Sequence, residues 1–152
     1  MTEATPNQVE RVGWYLRHIS RCLDRDMAFL LSREGLTFAQ MLVLRQIKAS
    51  QCTTLAELTD QLKWAASTLS GIIKRLERDG LVERLPDPSD LRVYRLCITP
   101  KAHQVLEVTC KAYNEHLAGI LSHFQGEELT ALITGLEGLW RAVRKEQPQR
   151  LD

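Results

Sequence analysis

Between Ala65 and Arg78 the side chains are sorted by chemistry. The small and hydroxyl-bearing residues Ala65, Ala66, Ser67, Thr68, Ser70 and Gly71 come first, the bases Lys74, Arg75 and Arg78 follow, and Leu69, Ile72, Ile73 and Leu76 recur at threes and fours. On a helix this spacing gathers the apolar residues on one face and leaves the other polar. Small residues on a polar face permit close approach of a partner. Hydroxyls can bond base edges or phosphates, and cations can neutralise phosphates along a groove wall. The same residues also suit a helix surface that simply meets water, and taken alone the segment serves either reading equally.

A second stretch is as distinctive. Pro86-Asp87-Pro88-Ser89-Asp90 crowds two acids and two prolines into a turn, and Arg92 follows directly. The prolines stiffen the turn.

The elements around these residues follow from capping and periodicity. Val9, Val12, Leu16, Ile19, Leu23, Met27 and Leu30 mark a long amphipathic helix that Gly35 ends. Thr37-Phe-Ala-Gln40 and Thr54-Leu-Ala-Glu57 are capping boxes that open two short helices, the second through about Leu62. The third short helix covers roughly Ala65 to Asp79, with Gly80 as a left-handed cap and Leu81 folding back. Val82–Leu85 and Leu91–Ile98 read as two strands of a hairpin. Thr99-Pro100 starts a long helix reaching about His123. After Gln125-Gly126 a last helix runs from Glu127 to about Lys145 and is expected to bury Leu129, Leu132, Ile133, Leu136, Leu139, Trp140 and Val143. Three short helices plus a hairpin make a winged helix-turn-helix. The fold class is therefore mainly α with a small β wing.

Composition bounds the rest. The chain has 152 residues, 44% hydrophobic and 26% charged, which is ordinary for one globular domain. No apolar run is long enough to span a bilayer and the N-terminus has no signal pattern, so a cytoplasmic protein without a membrane partner is expected. Net charge is only +1, and between Thr53 and Thr99 there are seven acids and seven bases. Any anion-binding surface must come from placement and not from excess. Cys22, Cys52, Cys97 and Cys110 are widely scattered, so reduced thiols are expected. No Gly-rich phosphate loop, nucleophile elbow, paired catalytic carboxylates or metal-ligand spacing appears, so no catalytic residue, metal or cofactor is assigned and an enzyme is not expected. His116 and His123 are too far apart along one helix to chelate.

The chain resembles the MarR family of bacterial transcription regulators. The resemblance runs through Leu55-Ala56-Glu57-Leu58, Ser67-Thr68-Leu69-Ser70, the run from Ile73 to Arg84, Asp87-Pro88-Ser89-Asp90-Leu91-Arg92 and Leu96-Cys97-Ile98-Thr99. It implies that Asp90 orients Arg92 and that Arg92 enters the minor groove, and it tips the balance left open by the helix. A narrow minor groove concentrates negative potential and attracts an inserted arginine, and a carboxylate can hold the planar guanidinium in place and reduce the entropy lost on binding. The alternative is an ordinary surface Asp–Arg pair, worth ~0–1 kcal/mol. Leu91 stands where the family often has a second base, and Ala102 where a glycine is common. Trp64, at the turn into the recognition helix, is also unusual and is assigned to the core in preference to a DNA-facing platform. The DNA-contacting set expected from the residues and the resemblance is Thr54, Ala66, Ser67, Thr68, Ser70, Gly71, Lys74, Arg75, Arg84, Asp90 and Arg92.

The resemblance further implies a homodimer, with residues 8–35 and 100–146 as dimerisation helices and 36–99 as the DNA-binding lobe. The apolar stripes of the first and last helices, too long for one small lobe to cover, support a partner independently. The partner DNA would be a double-stranded, pseudo-palindromic operator. The expected role is a repressor released by a small anionic aromatic or phenolic effector. Arg17, Arg21 and Arg25 share one helix face and could hold its carboxylate, although a solvated face paired with acids is the favoured reading. His18 and Cys22, four apart, offer thiol-based redox sensing as an alternative. A winged-helix protein-interaction module is the other.

Overall fold

The computed structural model of the protein describes residues 4–146. Its elements run α1 (Pro6–Arg33), α2 (Phe38–Ala49), β1 (Cys52–Thr53), α3 (Leu55–Leu62), α4 (Ala66–Arg78), β2 (Val82–Pro86), β3 (Tyr94–Ile98), α5 (Pro100–Leu121) and α6 (Gly126–Glu146). This is the mainly helical, winged class expected. The capping boxes at Thr37 and Thr54 form, each with the threonine oxygen accepting the N–H three residues on. A third, Thr5 with Gln8, opens α1 at Pro6. Gly35 and Gly80 both take φ of 70°. At each, the next leucine folds back. The Leu36 N–H donates to the Leu31 carbonyl at 3.0 Å, and the Leu81 N–H to that of Leu76 at 2.8 Å. Both leucines are buried, which fixes where the chain leaves each helix.

The chain divides into two compact units, one running to Tyr113 and one beginning at Asn114, with α5 continuous across the division. In the first unit a single core joins Leu31, Leu44, Ile47, Leu58, Leu69, Ile73, Leu76, Leu96 and Leu106. Trp64 packs against it, half-buried, as assigned from sequence. The three-stranded sheet has the order β1-β3-β2, both pairings antiparallel. Strand β3 starts at Tyr94, not at Leu91. The Val93 N–H donates to the Asp90 carbonyl and the Val93 carbonyl accepts the Asp87 N–H, so residues 91–93 belong to the turn.

Two expectations are corrected here. Cys52 and Cys97 are not reduced thiols but a disulfide, 45 residues apart in sequence, and only Cys22 and Cys110 are free thiols among the described cysteines. The two-residue strand β1, too short to show any periodicity, puts Cys52 directly opposite Cys97. In the second unit, α6 buries none of its residues. Leu136 is 52% exposed and Trp140 55% exposed, with Ile133 and Val143 also open. Among the described residues the apolar stripe of α6 is thus largely open, with Leu129, Leu132 and Leu139 half-buried. The same holds on α1, where Val9, Val12, Leu16 and Ile19 are exposed and only Leu31 is buried.

Two glycines of the recognition segment should respond oppositely to alanine. Gly80→Ala forces a side chain into left-handed backbone and should cost ~1–2 kcal/mol. Gly71 lies inside α4 with nothing within 4 Å of an added Cβ. Gly71→Ala should therefore stabilise by ~0.5–1 kcal/mol. Urea unfolding of both variants checks the pair, and shifts of the same sign would contradict this account.

Candidate nucleic-acid interface

The helix-turn-helix is set by three residues between α3 and α4. Lys63 takes the left-handed conformation with φ of 56° and its N–H donates to the Thr59 carbonyl, which ends α3. Trp64 anchors the turn on the core. Ala65 is the N-cap of α4 and offers no side-chain hydrogen bond. Thr5, Thr37 and Thr54 cap α1, α2 and α3, and the Thr99 oxygen accepts the Ala102 N–H at the start of α5. Among the described residues the first-turn N–H groups of α4 thus have no side-chain acceptor. They sit at the positive end of the helix beside exposed Ser67 and Thr68. Such donors suit phosphate oxygens.

Leu69, Ile73 and Leu76 are buried and Ile72 partly so, which fixes the rotation of α4. Its outer face then carries Ala66, Ser67, Thr68, Gly71, Lys74 and Arg75, all exposed, with Ser70 half-buried at the margin. Neither Lys74 nor Arg75 has an acid in salt-bridge contact among the described residues, whereas Arg78 lies 3.2 Å from Asp79. Thr54 stands at the start of α3, half-buried, its oxygen committed to the Glu57 N–H at 3.2 Å. Glu57 answers by accepting the Thr54 N–H and the Thr53 hydroxyl, both at 2.8 Å. These bonds, the Thr54 N–H first, lower the Glu57 pKa.

Arg84, expected at the DNA, is paired with Glu77. Its Nε and Nη2 donate to the two carboxylate oxygens of Glu77, the second at 3.2 Å. The planar fork binds β2 to α4 and so sets the wing's position relative to that helix. Thr99 reinforces this, with its hydroxyl donating to the Gly80 carbonyl at 2.7 Å, and Lys101 Nζ donates to the Asp79 carbonyl at 2.8 Å.

The wing's turn is built on Asp87, whose residue exposure is only 5%. Its Oδ1 accepts the Ser89 N–H at 2.8 Å, the Ser89 hydroxyl at 2.5 Å and the Asp90 N–H at 3.3 Å. Its Oδ2 accepts Arg95 Nε at 2.6 Å. The Ser89 hydroxyl first, then the Arg95 guanidinium and the Ser89 N–H, hold the Asp87 carboxyl well below the usual carboxylate range. Asp87 in turn raises the pKa of Arg95. Asp90 does not clasp a guanidinium. Its Oδ1 accepts the backbone N–H of Arg92 at 3.0 Å, fixing the chain direction at that residue and leaving the exposed Arg92 side chain without an acid partner among the described residues. Leu91 beside it is 77% exposed. Asp87 and Arg95 are absent from the site expected from sequence. The signal for Asp87 was present: an Asp two residues before a Ser on a Pro-flanked turn is an Asx-turn pattern. Arg95 needed the strand register, which pairs it with Leu85.

The residues expected to sense ligands or oxidants are less organised. Arg17 and Arg21 are exposed, and the Arg17 guanidinium lies back over Gly13. The His18 ring stacks on Trp14 with centroids 3.9 Å apart, and its Nδ1 bonds the Trp14 carbonyl at 2.8 Å, so the imidazole is turned away from Cys22. Among the described residues no single helix is long and apolar enough to cross a membrane.

The Asp87 hub gives a pH test. A carboxyl whose pKa is lowered on folding contributes fully above the ordinary value of ~3.9 and loses that contribution as pH falls toward the lowered folded value. The hub is therefore intact at neutral pH and weakens from ~pH 5 downward. Glu57 adds a slope of the same sign. Asp87→Asn should be less stable than the parent at pH 7 and lose less stability on acidification. Denaturant unfolding at a series of pH values reads this, and parallel profiles would refute the role given to Asp87.

The family described as MarR matches residues 36–94, which is α2 through the start of β3. The multiple antibiotic resistance protein MarR of Salmonella typhimurium is 30% identical over 101 residues, 66% of this chain and 70% of that protein. The crystal structure of transcriptional regulator Tm0710 from Thermotoga maritima is similar with a TM-score of 0.74 and 30% identity, covering 93% of this chain and 99% of the other. A variant of Escherichia coli MarR complexed with operator DNA is similar at a TM-score of 0.63 and 26% identity, over 90% of this chain and 99% of the other. Sequence and fold agree across the helix-turn-helix, the wing and the flanking helices: the chain belongs to the MarR family of DNA-binding transcriptional regulators.

Proposed function

We propose that two copies of this chain bind a pseudo-palindromic operator and repress transcription from it. The observation that carries this reading is the pairing of α4, with an uncapped N-terminus and a small-polar outer face, with a wing held rigidly to it that ends in Arg92. In this reading α4 enters the major groove. Ala66 and Gly71 allow close approach, Ser67, Thr68 and Ser70 meet base edges or phosphates, and Lys74 and Arg75 neutralise the groove walls. Thr54 meets the backbone from the start of α3. Arg92 enters the adjacent minor groove, where a narrow groove favours a guanidinium. Asp90 acts on the backbone of Arg92, and Arg84 acts through Glu77 by holding the wing.

The dimer is supported by the apolar faces of α1 and α6, each exposed in its own unit. Residues 8–35 and 100–146 are proposed as the dimerisation region and 36–99 as the DNA-binding lobe. Two-fold symmetry would put two copies of α4 about one DNA turn, ~34 Å, apart. Release by a small anionic aromatic effector, with Arg17 and Arg21 holding its carboxylate, is proposed on the shared helix face of those arginines. The protein is proposed to act in the cytoplasm, with no catalytic activity.

Selection of bound duplexes from a randomised library should enrich an inverted repeat. On that site Arg92→Ala should weaken binding by ~1–3 kcal/mol, and Lys74→Ala or Arg75→Ala should each lower the salt slope by about one. Unchanged affinity and slope in all three variants would sink the groove assignments. Leu136→Glu should give a monomer by light scattering that no longer binds the inverted repeat tightly. A dimeric Leu136→Glu protein would remove α6 from the interface.

A further inference from the structure

The disulfide between Cys52 and Cys97 lies at the base of the wing, and nothing in the DNA-binding reading uses it. We propose that these cysteines form a reversible thiol–disulfide site, closed by exchange with a polar low-molecular-weight disulfide, and that closure stiffens the wing and tightens DNA binding. The part concerning affinity rests on the DNA-binding reading above.

The backbone already holds the pair in register. Cys52 and Cys97 are direct partners on adjacent antiparallel strands, with Cα atoms 4.5 Å apart. That spacing is ordinary for a cross-strand pair that exchanges no backbone hydrogen bonds, and it lies within the range a disulfide needs. The Cys52 N–H indeed turns to the Ser50 carbonyl at 2.7 Å. The bond can therefore open and close without rearranging the sheet.

Access is unequal. Cys97 is buried, whereas Cys52 is partly exposed and lines an open groove of about 470 Å³ together with Gln51, Asp87, Ser89 and Arg95. A small polar disulfide can reach Cys52 through this groove, and Cys97 is sheltered behind it. In the closing reaction the Cys52 thiolate attacks one sulfur of the incoming disulfide. A mixed disulfide forms on Cys52, the incoming S–S bond breaks and one thiolate leaves. The Cys97 thiolate then attacks Cys52 Sγ, forming the protein disulfide and releasing the second thiolate. Two protein thiols are oxidised, one small disulfide is reduced to two thiols, and the two protein protons pass through solvent to the leaving thiolates.

The position gives closure a consequence. Cys52 sits two residues before Thr54, the N-cap of α3, and Cys97 lies on the strand whose Arg95 holds Asp87. A bond here ties the start of the helix-turn-helix to the return strand of the wing. Freedom removed before binding is not lost on binding. A regulator that works on DNA in a thiol-rich compartment would hold such a pair open at rest, because disulfides there are transient and redox-responsive.

The test equilibrates the full-length protein with mixtures of reduced and oxidised glutathione. Peptide mass mapping follows the Cys52–Cys97 link, hydrogen exchange follows residues 82–98, and titration follows affinity for the selected duplex. Expected are a link that forms and reverses with the glutathione ratio, slower exchange in the wing, and affinity ~3–10-fold higher when closed. Cys97→Ser should show none of these and retain only a mixed disulfide on Cys52, and Cys52→Ser should form no adduct in the groove. Failure to link reversibly, or linkage with unchanged exchange, overturns the site. Linkage that leaves affinity unchanged or lowers it overturns the tightening. Absence of DNA binding in both states would refute the DNA-binding reading and the tightening with it, while linkage and exchange would still decide the thiol site.

Discussion

The arrangement of the helix-turn-helix and its wing depends on the burial of one face of α4. Leu69, Ile73 and Leu76 are almost completely removed from solvent in the core shared with α2 and α3. Each such side chain is worth ~1.5–3 kcal/mol relative to exposure. That is enough to fix the helix's rotation, because turning it would expose all three together. With rotation fixed, the outer face is determined: small and hydroxyl residues in the first turns, Lys74 and Arg75 beyond. The wing then inherits its position from α4. Gly80 and Leu81 set the exit from the helix, the Glu77–Arg84 fork holds β2 to it, and Thr99 closes the loop by binding the Gly80 carbonyl.

A chain of net charge +1 builds an anion-facing surface by deciding which charges are paired. Arg84 and Arg95 are engaged by Glu77 and Asp87, and Arg78 by Asp79. These pairs give geometry. Lys74, Arg75 and Arg92 remain without acid partners among the described residues, and all three are exposed. Exposed cations without an acid partner therefore stand on α4 and at the wing tip while the chain as a whole stays near neutral. The same economy holds for backbone donors. Threonines cap α1, α2, α3 and α5, whereas α4 begins at an alanine.

The wing itself is a small rigid body because one carboxylate gathers four donors. Asp87 takes the Ser89 N–H and hydroxyl, the Asp90 N–H and Arg95, so turn and strand are joined at one buried point. Below that point the Cys52–Cys97 bond crosses from β3 to β1. The turn is thus tied by a carboxylate hub and the sheet by a covalent cross-strand bond.

The sequence by itself determined the helices, their ends and the apolar faces. Capping boxes at Thr37 and Thr54, the glycine at 80 and the three-four spacing of Leu69, Ile73 and Leu76 are local signals, decided within a few residues along the chain. It also determined the winged class, because the order of those signals admits few arrangements. Tertiary structure decided what depended on register between distant segments. The strand β1 has two residues and no period of its own, so its pairing with β3, and with it the Cys52–Cys97 bond, could not be read from spacing. The partners of Arg84 and Arg95 were decided in the same way, by which strand residue faces which helix or turn residue. The exposure of Leu136 and Trp140 was decided in the same way: their apolar spacing marks a face for burial, but what packs against that face is not encoded along one helix.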